Sequence, residues 1–425
     1  MLIEFTVGNF RSIAEKVTLS MIAAAIKSGP HATRVDENNV IYVNDKLSLL
    51  KSAAIYGANA SGKSNILNAL TTMGTFIDTS VHNVASGSFP YTPFLLIDGY
   101  QDRASHFEII FLMQGLQYRY GFELSKARVE KEWLYYVPST REARIFEREG
   151  QDIDCPNFTG AGRLKSLVAP QALFLTVARD FNVLQAKNVF QWLNRFPVMS
   201  GLDDNPSYYT IQCLEEKILD GEIVDFISRL DVGISGIEVS VLPSRDDDEN
   251  IGGNKVRQKS YKVETVHTAF DKQGNPTSSV KLNMRHHESE GTRRLFSMSG
   301  MIVQVLKNGS ILAVDEMDAR LHPALTRKIV ELFHAKETNP KDAQLIFATH
   351  DTNLLDNRLF RRDQIWFTEK DRMGATDLYS LAELKVRNDG WGERGYIEGR
   401  YGAIPFPGNF EGIFNRSEVS HAGEK

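Results

Sequence analysis

The chain has 425 residues, enough for one large domain or two to three ordinary ones, with 42% hydrophobic and 24% charged residues, as in a globular protein that buries a sizeable core. A net charge of −5 excludes a broadly basic nucleic-acid-binding surface, so any DNA contact would need a local patch or a partner. Two distant cysteines, Cys155 and Cys213, exclude a disulfide framework or cysteine metal cluster and suit a reducing cytosol.

The opening MLIEFTVGNFRS places Glu4 and Arg11 too early for a secretory apolar core, and no apolar run reaches the roughly 18 residues of a membrane span. The expectation is a soluble cytoplasmic protein. Residues 2–7 and 16–22 read as strands, and SAAIY (52–56) as a short buried one. Ile66, Leu70, Met73, Phe76 and Ile77 recur at helical spacing between Gly62 and about His82. Residues 106–113 and 116–124 alternate as strands around a Gln114–Gly115 turn, and strand-like text continues to about 148, so 100–150 reads as an antiparallel sheet. Residues 185–230 are mostly helical without a lasting heptad, and SRDDDENIGGNKVRQKS (244–260) reads as a polar loop. A helix over 292–306 buries Leu295, Met298, Ile302 and Val305. Strand SILAVDE, helix 323–335 and strand QLIFATH follow.

Gly57-Ala-Asn-Ala-Ser-Gly62-Lys63-Ser64 fits G-x-x-x-x-G-K-[ST] at every fixed position, between a strand and a helix. The glycines let successive N–H groups turn toward phosphate oxygens, and the helix start adds its positive end. Lys63 reaches the terminal phosphates and the Ser64 hydroxyl ligates Mg²⁺. A chance glycine-rich turn would rarely meet all these positions in this context. The candidate nucleotide contacts are Gly57, Asn59, Ala60, Ser61, Gly62, Lys63, Ser64 and Asn65.

The strand ILAVDE ends in Asp315 and Glu316. Adjacent carboxylates at a buried strand end are costly without a cation. Asp315 is the candidate Mg²⁺ ligand with Ser64, and Glu316 the candidate base for the attacking water. Solvated acids at a strand end are the plainer alternative, and only the phosphate loop shifts the balance. His350, past the next strand, is the candidate sensor of the terminal phosphate. By itself it would more often be an ordinary surface or core histidine. Ser289-Glu290-Gly291-Thr292 precedes the 292–306 helix as an N-cap or an anion site.

In this order the phosphate loop, SEGT turn, ILAVDE, Asp318 and His350 resemble the head of ABC-type ATPases, of the SMC/RecF-like kind rather than a transporter. The opening EFTVGNFRSI resembles that family's first strand and N-F-R-S turn, which would bring Arg11 near the phosphates. The resemblance implies an α/β fold with a mixed sheet core and a helical insertion. It implies two heads sandwiching ATP, with Ser289, Gly291 and Thr292 of one copy meeting the phosphate held by Lys63 of the other, and Asp318 in the D-loop. MLIEFTVGNFRSI, the YRYGFEL hairpin with VEKEWL, and the closing GRYGAIPF also resemble the short ATPases of bacterial anti-phage systems. These are the RloA and AbiL types and the PARIS ATPase, which imply a separately encoded Toprim-type nuclease effector and a phage protein trigger.

SEGT departs from the fuller L-S-G-G-Q string, and none of Gln101, Gln114 and Gln117 fits the family's Q-loop. The expected organisation is a first head lobe over 1–180, a helical insertion over 181–260 and a second lobe over 261–425. Catalysis is expected from Lys63, Glu316 and His350, with ATP and Mg²⁺ as cofactors and a homodimer or higher homo-oligomer as the working unit. Alternatives are a RecF- or SMC-like DNA-repair ATPase, against which the missing long coiled coil weighs, and an OLD-type nuclease. The acids Asp203–Asp204 and Asp246–Asp248 that a nuclease could use sit in loop text. A GTPase would need an N/T-K-x-D string that is absent.

Overall fold

The computed structural model describes residues 1–26, 33–86, 89–194, 196–200, 208–230, 233–242, 260–387 and 390–405. Asp203–Asp204, Asp246–Asp248 and all but Ser260 of the expected polar loop lie outside the described residues. In chain order, β1 (Leu2–Gly8) and β2 (Val17–Ser20) precede α1 (Thr33–Asn39), β3 (Val40–Asn44), β4 (Leu47–Leu50), β5 (Ser52–Gly57) and α2 (Lys63–Ser86). Then come β6 (Ser105–Met113), β7 (Leu116–Leu124), β8 (Val129–Val137), β9 (Ala143–Glu149) and β10 (Asp152–Asp154). Helices α3 (Phe174–Asp180) and α4 (Leu184–Leu193) lead to β11 (Val198–Ser200), α5 (Tyr208–Glu215) and α6 (Asp220–Ser228). Strands β12 (Gly236–Leu242), β13 (Ser260–Phe270) and β14 (Pro276–Asn283) follow, then α7 (Met284–His287) and α8 (Glu290–Asn308). The chain continues through β15 (Ile311–Asp315), α9 (Pro323–His334), β16 (Gln344–Ala348), β17 (Ile365–Lys370), β18 (Thr376–Ser380) and α10 (Glu393–Ile397).

The fold is mixed α/β. One sheet is antiparallel, in the order β10-β9-β8-β7-β6-β1-β2. A second runs β11-β15-β16-β5-β17-β18 and is parallel except for β18. Parallel strands covered on both faces need unbroken apolar runs, and β5 and β16 are buried at every position. The two-residue period divides β5 cleanly. Ala53 and Ile55 meet α2, whereas Ala54 and Tyr56 meet the cluster holding α8 and α9.

Helix α2 lies between the two sheets. Its Ile66, Leu67, Leu70, Met73, Phe76 and Ile77 share one core with Phe5, Phe107 and Ile109 of the antiparallel sheet and Ile55, Ala313 and Ile346 of the parallel one. On the far face Leu295, Met298 and Ile302 of α8 and Ile329, Val330 and Phe333 of α9 pack on Leu312, Val314, Leu345 and Phe347. In the β6–β7 hairpin, Gln114 and Gly115 take φ of 52° and 80°, the left-handed pair of a two-residue turn. Across the next ladder Gly121 pairs with Trp133, where a Cβ would fall 2.4 Å from the indole. The glycine in YRYGFEL is therefore room for that ring.

The 181–260 stretch does not stand apart as one helical unit. Strand β11 joins the parallel sheet beside β15, and α4 buries Val189, Trp192 and Leu193 in the core around α2. At the other boundary β12, inside the stretch, pairs along its length with β13, which begins at its edge, in the three-stranded sheet β12-β13-β14. Three residues of strand, as in β11, are too short to show a period, and the alternation of GIEVSVL in β12 marks a strand without naming its partner. Among the described residues no helix is long and apolar enough to cross a membrane.

Candidate functional site

Strands β5, β15 and β16 run parallel, with Ile55 level with Ala348 and Phe347 level with Val314. Their carboxyl ends therefore open at one edge of the sheet, where ligands bind in open α/β folds. The loop after β5, the acids ending β15 and the Thr349–His350 turn after β16 meet there.

The phosphate loop is held from several sides. Lys63 Nζ donates to the carbonyls of Gly57 at 2.9 Å and Ala58 at 3.0 Å, which folds the ammonium back under the loop. The Ser61 hydroxyl lies 2.6 Å from that of Thr368 on β17, and Thr376 Oγ1 donates to the Ser61 carbonyl at 2.8 Å. Gly62 has φ of 113°, and a Cβ there would lie 2.3 Å from Thr376 Oγ1; one at Gly57 would lie 2.5 Å from Ser61 Oγ. Both motif glycines are thus required by close approach, as well as by backbone freedom at Gly62. Asn59 and Ala60 are exposed at the loop tip, Ala60 at φ 60°, and Ser64 opens α2 half-buried. Asn65 Nδ2 donates to Ser12 Oγ at 2.7 Å, and that hydroxyl lies 2.8 Å from Thr376 Oγ1. Arg11 is therefore carried beside the loop. It is exposed, at φ 50°, and its guanidinium rests on the Phe10 ring.

Asp315 ends β15 with Oδ1 buried and without a hydrogen-bond partner. The next residue, Glu316, turns the chain at φ 50°, a region costly to residues with a Cβ and concentrated at functional sites. Asp318 accepts from Thr349 Oγ1 at 2.6 Å and from the His350 backbone N–H at 3.1 Å, which ties the two turns together. Burial presses the Lys63 ammonium below its usual range, while Asp315, Glu316 and Asp318 pull the other way. Desolvation first, then the Lys63 charge, push the His350 ring down against the same three carboxylates. These five groups share one electrostatic neighbourhood.

The SEGT turn is built as an N-cap. Ser289 Oγ accepts from Thr292 N at 3.1 Å and lies 2.9 Å from Thr292 Oγ1. Its contacts are with the chain after the acid pair rather than with the phosphate loop: Glu290 lies 3.6 Å from Arg320, and a Cβ at Gly291 would lie 3.0 Å from the Arg320 carbonyl. Within one copy, then, Asp318, His350, the acids and the phosphate loop come together, and Glu290 and Gly291 of the SEGT turn approach Arg320, just beyond Asp318.

The family model described as "AAA domain, putative AbiEii toxin, Type IV TA system" matches residues 52–169 and 161–356. The chain belongs to this family. The matched stretches of the AAA domain run from the start of β5 past His350 and include the phosphate loop, the SEGT turn, the acid pair, Asp318 and His350, leaving out Arg11, Ser12 and the closing β17–β18 hairpin. Among solved structures, the SMC head domain from Thermotoga maritima is 12% identical, covering 91% of this chain and 99% of its own, with a TM-score of 0.40. The structure of cbiO1 from Clostridium perfringens, described as part of the ABC transporter complex cbiONQ, is 11% identical, covering 94% and 92%, with a TM-score of 0.32. Overlaps this loose carry no argument, and the P-loop fold rests on the AAA domain's own topology. No curated protein matches the chain.

Thr368 and Thr376 hold the loop of this AAA domain and carry no motif of their own, while Ser12, the serine of the N-F-R-S turn, joins them through Asn65 and Thr376. Tyr396 stacks on Phe367 with centroids 5.6 Å apart and meets Tyr56 edge-on at 5.8 Å, and its hydroxyl donates to the Ala403 carbonyl at 3.0 Å. The available signal was the alternation of IWFTEK and TDLYS, which sets Thr368 and Thr376 in strands without saying what they face. Gln101 lies in a helical turn, Gln114 in the hairpin turn and Gln117 in β7, and none contacts the loop through a bond among those described.

Proposed function

We propose that this AAA-domain protein is a dimerising, ABC-type ATPase that binds ATP with Mg²⁺ and hydrolyses it. The observation that carries this reading is the buried, partnerless Oδ1 of Asp315 beside a phosphate loop whose lysine feels the same carboxylates. A buried carboxylate oxygen without a donor costs about 1–3 kcal/mol, which a cation would offset. Ser64 and Asp315 would hold Mg²⁺, which takes few protein ligands and completes its shell with phosphate and water. When bound, the ion neutralises charge developing on the phosphates. Lys63, the loop N–H groups and the start of α2 fix the phosphates. Glu316 orients and deprotonates the attacking water, and His350, kept neutral by its surroundings, hydrogen-bonds the terminal phosphate.

A head assembled from 1–180 and 261–425, with 181–260 lending β11 to its core, would pair with a second copy. Asp318 would sit at that contact, and Ser289, Gly291 and Thr292 would reach the partner's nucleotide near Arg11. The family description names an AbiEii toxin and a Type IV TA system, and the strings at both ends of the chain resemble anti-phage ATPases. We extend the reading to a sensor that holds a separately encoded Toprim-type nuclease until a phage protein triggers release. Phosphate release by the purified protein with Mg²⁺ and ATP tests the first part, and phage plating with the adjacent gene tests the second. Lys63→Ala protecting cells as well as wild type would refute the defence role.

A further inference from the structure

The string GRYGAIPF takes no part in the proposed chemistry, yet its described residues, 399–405, are built into the core together with α10. Trp391, Tyr396, Tyr401 and Ala403 are buried in the cluster that holds Tyr56 of β5 and Phe367 of β17. The Tyr401 hydroxyl accepts from the Gly392 N–H at 3.2 Å, and a Cβ at Gly395 would fall 2.2 Å from it. The Tyr379 hydroxyl lies 2.8 Å from the Tyr401 carbonyl, which fastens the string to the hairpin that carries Thr368 and Thr376.

The same segment grips the turn that follows His350. Thr352 Oγ1 donates to the half-buried Glu393 carboxylate at 2.6 Å, and the Glu393 N–H donates to the Leu355 carbonyl at 3.0 Å. Tyr396 packs edge-on against Tyr56, whose hydroxyl donates to the Asp351 carbonyl at 3.2 Å. Asp318 holds the other side of the turn, at Thr349 Oγ1 and the His350 N–H. His350 is therefore clamped between the loop after the acid pair and the segment around α10. A hydroxyl donating to a carboxylate at this length is among the strong hydrogen bonds. Thr352 sits two residues past His350 and opens a single helical turn over Thr352–Leu354, so little slack separates Glu393 from the histidine backbone.

We infer that Glu393 is a positioning residue: through Thr352 it fixes the turn that aims His350 at the terminal phosphate. Its effect on turnover rests on the proposed ATPase reading; its effect on the turn needs only the bonds above. The test uses the full chain with Glu393→Ala, Glu393→Gln, Thr352→Val and the double variant Glu393→Ala/Thr352→Val. Each is read by steady-state phosphate release from ATP with Mg²⁺ and by amide hydrogen exchange over residues 350–355. Glu393→Ala is expected to lower kcat about ten-fold or more and leave KM within about two-fold, since the loop still holds the phosphates. Glu393→Gln, which still accepts from Thr352, regains most of the loss. The double variant falls no further than Glu393→Ala, because both changes remove one bond. Exchange over 350–355 speeds up about ten-fold in Glu393→Ala and Thr352→Val, while that of the phosphate loop is unchanged. A raised KM with unchanged kcat, a loss that glutamine does not regain, or additive losses in the double variant overturns the assignment. If wild type releases no phosphate from ATP, the ATPase reading fails and the exchange decides alone. Faster exchange that Glu393→Gln reverses then upholds the hold on the turn, and unchanged exchange overturns it.

Discussion

One backbone step separates Asp315 from Glu316, yet their surroundings differ. Asp315 closes a buried strand with an unsatisfied oxygen, whereas Glu316 has left the strand at φ 50°. The proposed roles make opposite predictions. Asp315→Ala should melt no lower than wild type without ligand, because it removes a buried cost, and should lose the thermal shift on adding Mg²⁺ and ATP. Glu316→Gln should keep that shift and lose roughly 10²–10⁴-fold in phosphate release. Differential scanning fluorimetry and a phosphate assay separate the two. A third residue acts on stability alone. His334 is buried, its ring pushed down to about 3, with Nε2 2.7 Å from Ser52 Oγ. A folded pKa below the unfolded one near 6.5 means that the unfolded chain binds the proton first. Stability should therefore be full above about pH 6.5 and fall progressively as the pH drops toward 3. His334→Gln should flatten that slope in melts recorded against pH.

At the scale of elements, the join between β8 and α3 rests on a buried ion pair. Glu132 accepts the N–H groups of Phe174 at 2.6 Å and Leu175 at 3.0 Å, so its carboxylate caps α3. Arg148 lies 3.8 Å away and donates to the Ala172 carbonyl at 2.5 Å. Burial pushes Glu132 up and Arg148 down, while each opposes the shift of the other. Arg148→Ala strands the carboxylate and should cost about 3–5 kcal/mol in urea unfolding. A loss below about 1 kcal/mol would contradict the pairing. None of this was legible in the sequence, because a Glu and an Arg sixteen positions apart on neighbouring strands have no spacing that marks them. The phosphate loop was legible, because its chemistry fixes both residue types and spacing within eight positions. So were β5, β16 and the β6–β7 turn, where local pattern and tertiary placement agree. Strand β11 and the β12–β13 pairing were not, since three residues carry no period and the alternation of GIEVSVL marks a strand without saying which strand it pairs with. Thr368 and Thr376 meet Ser61 across more than 300 residues of chain, a contact that only the sheet order supplies.

For the whole molecule, the arrangement within one copy leaves the SEGT turn against Arg320 rather than at the phosphate loop. The proposed cycle therefore needs two copies. A Ser289→Arg chain should bind nucleotide through its own loop yet fail to pair, and its phosphate release should fall to the level of an isolated head. The most direct measurement is sedimentation velocity of Glu316→Gln with and without Mg²⁺ and ATP. The account predicts a shift from monomer to dimer, or to a larger even assembly, on adding nucleotide, and no shift when Ser289→Arg is also present. Nucleotide bound at saturation with the sedimentation coefficient unchanged would contradict it.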